Sequence, residues 1–142
     1  MMTRIGIVIV NYNSTDFLQN CLLSIQRESP DTLPDVVVVD NASQDFHPRQ
    51  IEDAYPKSTI LINDCNLGFS AACNQGLRLL TNDYLLLLNP DCEICDQAIE
   101  RTAGFIDSNP EIGIAGCRVT NPDGTLQRAC RRRIPSPFVA FL

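Results

Sequence analysis

The sequence lacks most features that would mark a membrane protein, a metalloprotein or a nucleic-acid binder. No apolar run approaches the ~18–20 residues of a membrane span; the longest clean ones are Ile5–Val10 and Leu85–Leu88. Met1-Met2-Thr3-Arg4-Ile5 runs straight into a strand-like segment, which is not the layout of a signal peptide. His47 is the only histidine. Beside Pro48 it reads as a surface-loop residue, and a chain with one histidine argues against Ser/His or Cys/His catalysis. Cys92-Glu93-Ile94-Cys95 is a C-x-x-C without a second pair at metal spacing, so a four-ligand zinc site finds no support. Neither G-x-G-x-x-G nor a Walker A loop is present, which removes dinucleotide and ATP-type phosphate cradles. Positive charge is also scarce. Eleven Lys+Arg stand against 17 Asp+Glu, a formal net charge of −6, where a general nucleic-acid binder needs a net basic face.

The 142 residues are 44% apolar and 20% charged, the balance of one soluble globular domain. A chain of this length buries roughly two-thirds of its unfolded surface and folds without a metal or disulfide. Seven cysteines, an odd number in a chain without a secretory signal, read as reduced cytosolic thiols. Cys65, Cys73, Cys117 and Cys130 are scattered, and burial as small apolar side chains is their default role.

Strand and helix signals alternate. Ile5–Val10 is a continuous β-branched run, the mark of a strand buried on both faces. Phe17, Leu18, Cys21, Leu22 and Ile25 follow at helical spacing, capped by Ser14 or Asn13, in a helix that must end before Pro30. Val36–Val39 is a second buried strand, followed by a weaker helix near Asp45–Ala54 with Pro48 tolerable only in its first turn. Ser58–Ile62 reads as a strand, Ala71–Leu80 as a helix, and Tyr84–Leu88 as a strand. A helix at Asp96–Ile106, a short strand at Ile112–Ala115 and a turn at Asn121–Gly124 precede a basic, proline-bearing tail. Such alternation predicts an α/β fold, a Rossmann-like three-layer sandwich around a mostly parallel sheet.

Polar residues gather where strands end: Asn11-Tyr12-Asn13, Asp40-Asn41 and Asn89-Pro90-Asp91. In a doubly wound sheet those ends share one edge, where ligands bind. Asp40 leaves a buried strand at that edge and suits a nucleobase N–H or ribose hydroxyls, or else caps the turn Asp40-Asn41-Ala42-Ser43. Asp91 offers carboxylate oxygen to a hard cation such as Mg²⁺ or Mn²⁺ that bridges to phosphates, although Asn-Pro-Asp is also an ordinary turn. The segment Asn66–Gly76 is rich in small residues and opens a helix, allowing close approach of a ligand or tight helix–sheet packing. Arg128, Arg131, Arg132 and Arg133 suit a diphosphate, an anionic acceptor or a membrane surface, or form a solvated charge run.

Five segments in this order resemble glycosyltransferase family 2. They are Ile7–Asn13, Cys21–Ile25, Val38–Asp45, Asn66–Gly76 and Leu86–Asp91, and the resemblance extends over residues 4–135. Within the family they are most similar to the rhamnosyltransferase-type branch of bacterial surface-polysaccharide synthesis. The resemblance implies a glycosyltransferase-A type fold that binds a nucleotide-sugar, a UDP- or dTDP-sugar. Val10, Asn11 and Tyr12 would line the nucleoside pocket, Asp40 would hydrogen-bond the base, and Gly68 and Asn74 would pack near the nucleotide. Asp91 would sit where the family's D-x-D motif ends, near ribose and a diphosphate-bound Mg²⁺ or Mn²⁺. Asn89 replaces the first carboxylate of that motif, which weakens a metal site.

The family's general base, the carboxylate that drives inverting transfer, lies C-terminal to the arginine stretch, and it is expected beyond Leu142. Residues 1–142 are therefore expected to be the nucleotide-sugar-binding portion, inactive alone, of an enzyme acting on a saccharide or lipid-linked acceptor. Its expected setting is the cytoplasm, including peripheral attachment at the inner membrane face. The alternative is a non-catalytic nucleotide-sugar-binding or protein-interaction module. The apolar end Phe138–Leu142 motivates it, since a homodimer would bury that surface. A phosphoacceptor receiver domain fits less well. It wants paired acids after the first strand, where Asn11-Tyr12-Asn13 stands.

Overall fold

A computed structural model describes residues 4–31 and 33–130. The expectations placed on Arg131–Arg133 and Phe138–Leu142 lie outside the described residues. Among the described residues four strands, β1 (Ile5–Asn11), β2 (Asp35–Asp40), β3 (Thr59–Ile62) and β4 (Tyr84–Leu88), alternate with four α-helices. The helices are α1 (Thr15–Glu28), α2 (Pro48–Ala54), α3 (Phe69–Leu77) and α4 (Ala98–Asp107). The strands form one parallel sheet in the order β3-β2-β1-β4.

The β-branched runs occupy the two central strands because only there are both sheet faces covered. Ile7, Ile9, Val36 and Val38 pack with Leu18, Leu22, Ile25, Ile51 and Ile99 on the face carrying α1, α2 and α4. Val8, Val10, Val37 and Val39 pack under Ala72 and Cys73 of α3 on the other face. Tyr55 is fully buried on the first face and donates its hydroxyl to the Pro34 carbonyl at 2.7 Å, which satisfies its one polar atom. The three-layer α/β arrangement expected from the alternation is the one observed.

Three helices and one strand differ most from the sequence reading. Helix α2 begins at Pro48 itself, a position where the missing N–H costs nothing. Helix α3 covers Phe69–Leu77 rather than Ala71–Leu80. Helix α4 starts at Ala98 because Asp96 and Gln97 both hold left-handed φ, at 54° and 52°. The strand expected at Ile112–Ala115 does not form, and Ile114 is 92% exposed. With Gly113 inside it and Gly116 after it, the segment has neither ladder partner nor packed face among the described residues to offset the entropy of extension. The pairing that follows is a single antiparallel bridge, Thr120 with Leu126, across the Asn121–Gly124 turn. Among the described residues, no helix is long and apolar enough to cross a membrane.

Candidate functional site at the carboxyl edge of the sheet

Strand β1 has β2 on one side and β4 on the other: the chain steps outward from β1 to β2 and β3, then crosses back to place β4 on the far side of β1. The crevice at such a reversal, outside the carboxyl ends of the strands, is where open α/β sheets bind ligands. All three polar clusters end there.

The register sets Asn11 directly opposite Asp40, each one residue past a buried apolar run and on the same face of the sheet. Both are buried, Asn11 at 0% and Asp40 at 1% exposure. Asn11 Nδ2 donates to Asp40 Oδ1 at 2.9 Å, and the Ser43 backbone N–H donates to Asp40 Oδ2 at 3.0 Å. The carboxylate thus closes the Asp40–Ser43 turn, the capping alternative of the sequence reading, and its two oxygens face protein donors. Ala42 completes that turn at φ +67°.

Ser43 joins this turn to the loop after β1. Its Oγ accepts from Asn11 Nδ2 at 3.1 Å and from the Asn13 N–H at 2.8 Å. Asn13 Oδ1 in turn accepts the Gln44 N–H at 2.9 Å. Tyr12, between the pinned residues, is half exposed and presents its ring at the edge. Asn11 Oδ1 and Thr15 Oγ1 are buried and without a partner among the described residues. Most buried polar groups in folded proteins have a partner, so these two call for one. Val10, expected to line the pocket, is buried under α3 instead of at the surface.

A second network was not legible from the sequence. Asn41, 2% exposed, accepts at Oδ1 from Asn63 Nδ2 (3.1 Å) and from the Leu67 N–H (3.0 Å). Its own Nδ2 donates to Asn66 Oδ1 at 2.7 Å, and Asn63 and Gln75 exchange two amide bonds of 2.9 Å. These four amides tie the small-residue segment to the end of β2. Gly68, which precedes α3, has φ +83°, a conformation L side chains rarely adopt, and no side chain caps the helix. Asn74 is exposed on α3. The clue in the sequence was four amides spread over 35 positions, with no local pattern to group them.

The third cluster follows β4. The Cys92 N–H closes the turn onto the Asn89 carbonyl at 3.2 Å, and Asp91 is exposed. Cys21 lies beneath, its thiol 3.8 Å from the same carbonyl. Burial first, then the neighbouring Cys92, Asp91 and Glu93, pushes the Cys21 thiol up to about 12. Cys92 is raised too, by burial and then Asp91. Both are therefore neutral at physiological pH and poor metal ligands or nucleophiles. Among the described residues no group of three His, Cys, Asp or Glu could hold a metal ion. Asp91 with Asn89 fits a hard cation only as a part-ligand to an ion that keeps waters and takes phosphate oxygens.

The structure thus unites Asn11 with Asp40 and leaves Tyr12, Gly68, Asn74 and Asp91 exposed outside that pair, Tyr12, Gly68 and Asp91 in the loops after β1, β3 and β4 and Asn74 within α3. A groove of about 530 Å³ lies at the opposite edge, lined by Arg4, Asp35, Lys57, Asn82 and Asp107 where the strands begin. It contains none of these residues.

Residues 6–140 match the family described as Glycosyl transferase family 2. Glycosyltransferase AglE of Haloferax volcanii is 33% identical over 126 residues, 84% of this chain and 41% of that protein. Among solved structures, S. aureus TarS 1-349 in complex with UDP superposes with a TM-score of 0.67 at 24% identity. That likeness covers 75% of this chain and 33% of TarS 1-349. The mannosyltransferase PcManGT from Pyrobaculum calidifontis, in complex with GDP-Man and Mn²⁺, gives a TM-score of 0.68 at 22% identity. It covers 80% of this chain and 34% of the other. The chain therefore spans about two-fifths or less of the length of these proteins.

Proposed function

The chain belongs to glycosyltransferase family 2, and on that premise we propose that it binds the nucleotide-sugar donor of an inverting sugar transfer. The observation that carries this reading is the placement of Asn11, Asp40 and Asp91 at or just past the carboxyl ends of β1, β2 and β4, around the reversal in strand order. Tyr12 supplies an exposed ring for the nucleobase, Gly68 a stretch without bulk, and Asn74 an exposed amide. Val10, Asn11 and Asp40 form the floor that holds those groups in place. Asp91 is the carboxylate for a Mg²⁺ or Mn²⁺ ion. Such an ion, when bound, neutralises charge on the leaving nucleoside diphosphate.

The acceptor in this proposal is a saccharide or lipid-linked saccharide of a cell-surface polysaccharide, reached from the cytoplasmic side, and the donor a UDP- or dTDP-sugar of the rhamnosyl kind. In this proposal the general base is not among the residues assigned to the donor site, and the 142-residue chain is expected to bind donor and transfer little sugar. Calorimetry of the chain with UDP-, dTDP- and GDP-sugars, each with Mn²⁺, tests the reading. Binding of at least one donor is expected, weakened by Asp91→Ala. No heat of binding with any of them overturns it, and rapid sugar transfer by the chain alone overturns the expectation of little transfer.

A further inference from the structure

Asp40 and Asn11 are internal, so the polar group that meets a ligand at the junction of β1 and β2 must lie one step outward. Ser43 is that step. A hydroxyl oxygen has two lone pairs and carries one proton. At Ser43 the lone pairs face two donors, Asn11 Nδ2 at 3.1 Å and the Asn13 N–H at 2.8 Å. The proton must point away from both, and no acceptor among the described residues receives it. Ser43 is partly exposed, beside the exposed Tyr12, Asn13 and Gln44.

We propose that Ser43 is a specificity-determining residue of the donor site, its hydroxyl donating to a neutral oxygen of the nucleoside, on ribose or base. This rests on the nucleotide-sugar reading above. The acceptor is a nucleoside oxygen and not a phosphate because the Asp40 carboxylate lies immediately behind, 3.0 Å from the Ser43 backbone nitrogen. A phosphate there would meet like charge at short range in a partly buried setting. The same carboxylate fixes the direction of the hydroxyl: it holds Asn11 Nδ2 and the Ser43 backbone, and these leave the proton one way to point. A donor fixed in advance loses little freedom on binding, and that is the advantage of burying Asp40 behind it.

The test is calorimetry of the 142-residue chain with UDP, GDP and dTDP in the presence of Mn²⁺, followed by analogues of whichever binds. The analogues lack one acceptor each: the 2′-oxygen, the 3′-oxygen, or a base carbonyl replaced by thiocarbonyl. Ser43→Ala is expected to weaken the parent nucleotide by roughly 3–10-fold, the worth of one net hydrogen bond. Ser43→Thr, which keeps the hydroxyl, restores it. For the analogue missing the proper oxygen, wild type and Ser43→Ala bind alike. A purely structural serine would instead lose affinity equally for every analogue, and that outcome overturns the proposal, as does unchanged affinity in Ser43→Ala. Should the alanine variant fail to fold, Ser43→Cys, which retains an atom against Asn13 but donates weakly, is read in the same way. Absence of binding by the unmutated chain overturns this inference together with the reading it rests on, whereas the other outcomes leave that reading intact.

Discussion

Gly76 of α3 lies so close to Val8 of β1 that a Cβ at position 76 would stand 2.6 Å from Val8 Cγ1. A second contact, to Val39 Cγ2 of β2, would be 3.3 Å. The helix rests on the valines of both central strands through the one residue without a side chain. This approach, together with the Asn41–Asn66 amide bond, positions the Gly68–Asn74 segment at the carboxyl edge. Packing in the core and geometry at the site are here one constraint.

Gly76→Ala should therefore destabilise the protein although alanine favours helix. The added methyl must displace Val8 or lift α3, an overpacking cost of about 1–3 kcal/mol. Gly104, inside α4, is the internal control, because nothing lies within 4 Å of a Cβ added there. Gly104→Ala should stabilise by about 0.5–1 kcal/mol. Urea titrations of the two variants should move in opposite directions.

Asp40 should matter to folding before it matters to binding. Removing its carboxylate in Asp40→Ala leaves Asn11 Nδ2 without its 2.9 Å acceptor and the Ser43 N–H without its 3.0 Å acceptor, at a site 1% exposed. Buried donors stripped of a charged acceptor cost about 2–4 kcal/mol. Asp40→Asn keeps the shape but turns one acceptor into a donor that faces another donor, and should cost about 1–3 kcal/mol. Thermal melts of both variants, with no ligand added, check the order: wild type, then Asn, then Ala.

The strands were legible in the sequence because their signal is local. Ile5–Val10 and Val36–Val39 are continuous β-branched runs, and a strand covered on both faces needs no other mark. Ile112–Ala115 carries a weaker version of the same signal and has no strand partner among the described residues, because pairing depends on a neighbour that the local sequence does not contain. The same difference runs through the site. That Asn11, Asp40 and Asp91 reach one edge follows from strand ends and topology. That Asp40 faces inward to Asn11 and Ser43 follows from a register between residues 29 positions apart, which no window of the sequence displays. The Asn41–Asn63–Asn66–Gln75 network escaped for the same reason.

Alkaline conditions should destabilise the fold through Cys21. The folded protein keeps the thiol proton up to about 12, whereas an unperturbed thiol releases it near 9.0. Between those values the unfolded chain holds fewer protons than the folded one, so stability falls as pH rises through the window and is fully present below it. Tyr55 acts in the same direction, its hydroxyl raised by burial and then by Asp35. Chemical denaturation at a series of pH values from 8 upward should show a declining midpoint, with a shallower decline in Cys21→Ala. Comparing slopes instead of absolute midpoints removes the cavity cost of the alanine.

Metal binding should depend on the nucleotide. Asp91 is the exposed carboxylate of the Asn89-Pro90-Asp91 turn, Asn89 stands where a second would be, and the nearby thiols of Cys21 and Cys92 are held neutral. One carboxylate and an amide give a hard divalent cation too little negative charge to displace its waters, whereas phosphate oxygens added to the same ion complete a set of the kind it favours. Electron paramagnetic resonance of Mn²⁺ mixed with the chain alone should therefore retain the free-ion signal, which should diminish once a nucleoside diphosphate is added, beyond its loss to nucleotide alone. Asn89→Asp would set two carboxylates on one rigid Pro90 turn and should bind Mn²⁺ without nucleotide about ten-fold more tightly than wild type. Equal Mn²⁺ affinity in the two proteins would mean that the ion does not meet this turn, and Asp91 would then lose its place as the metal's carboxylate.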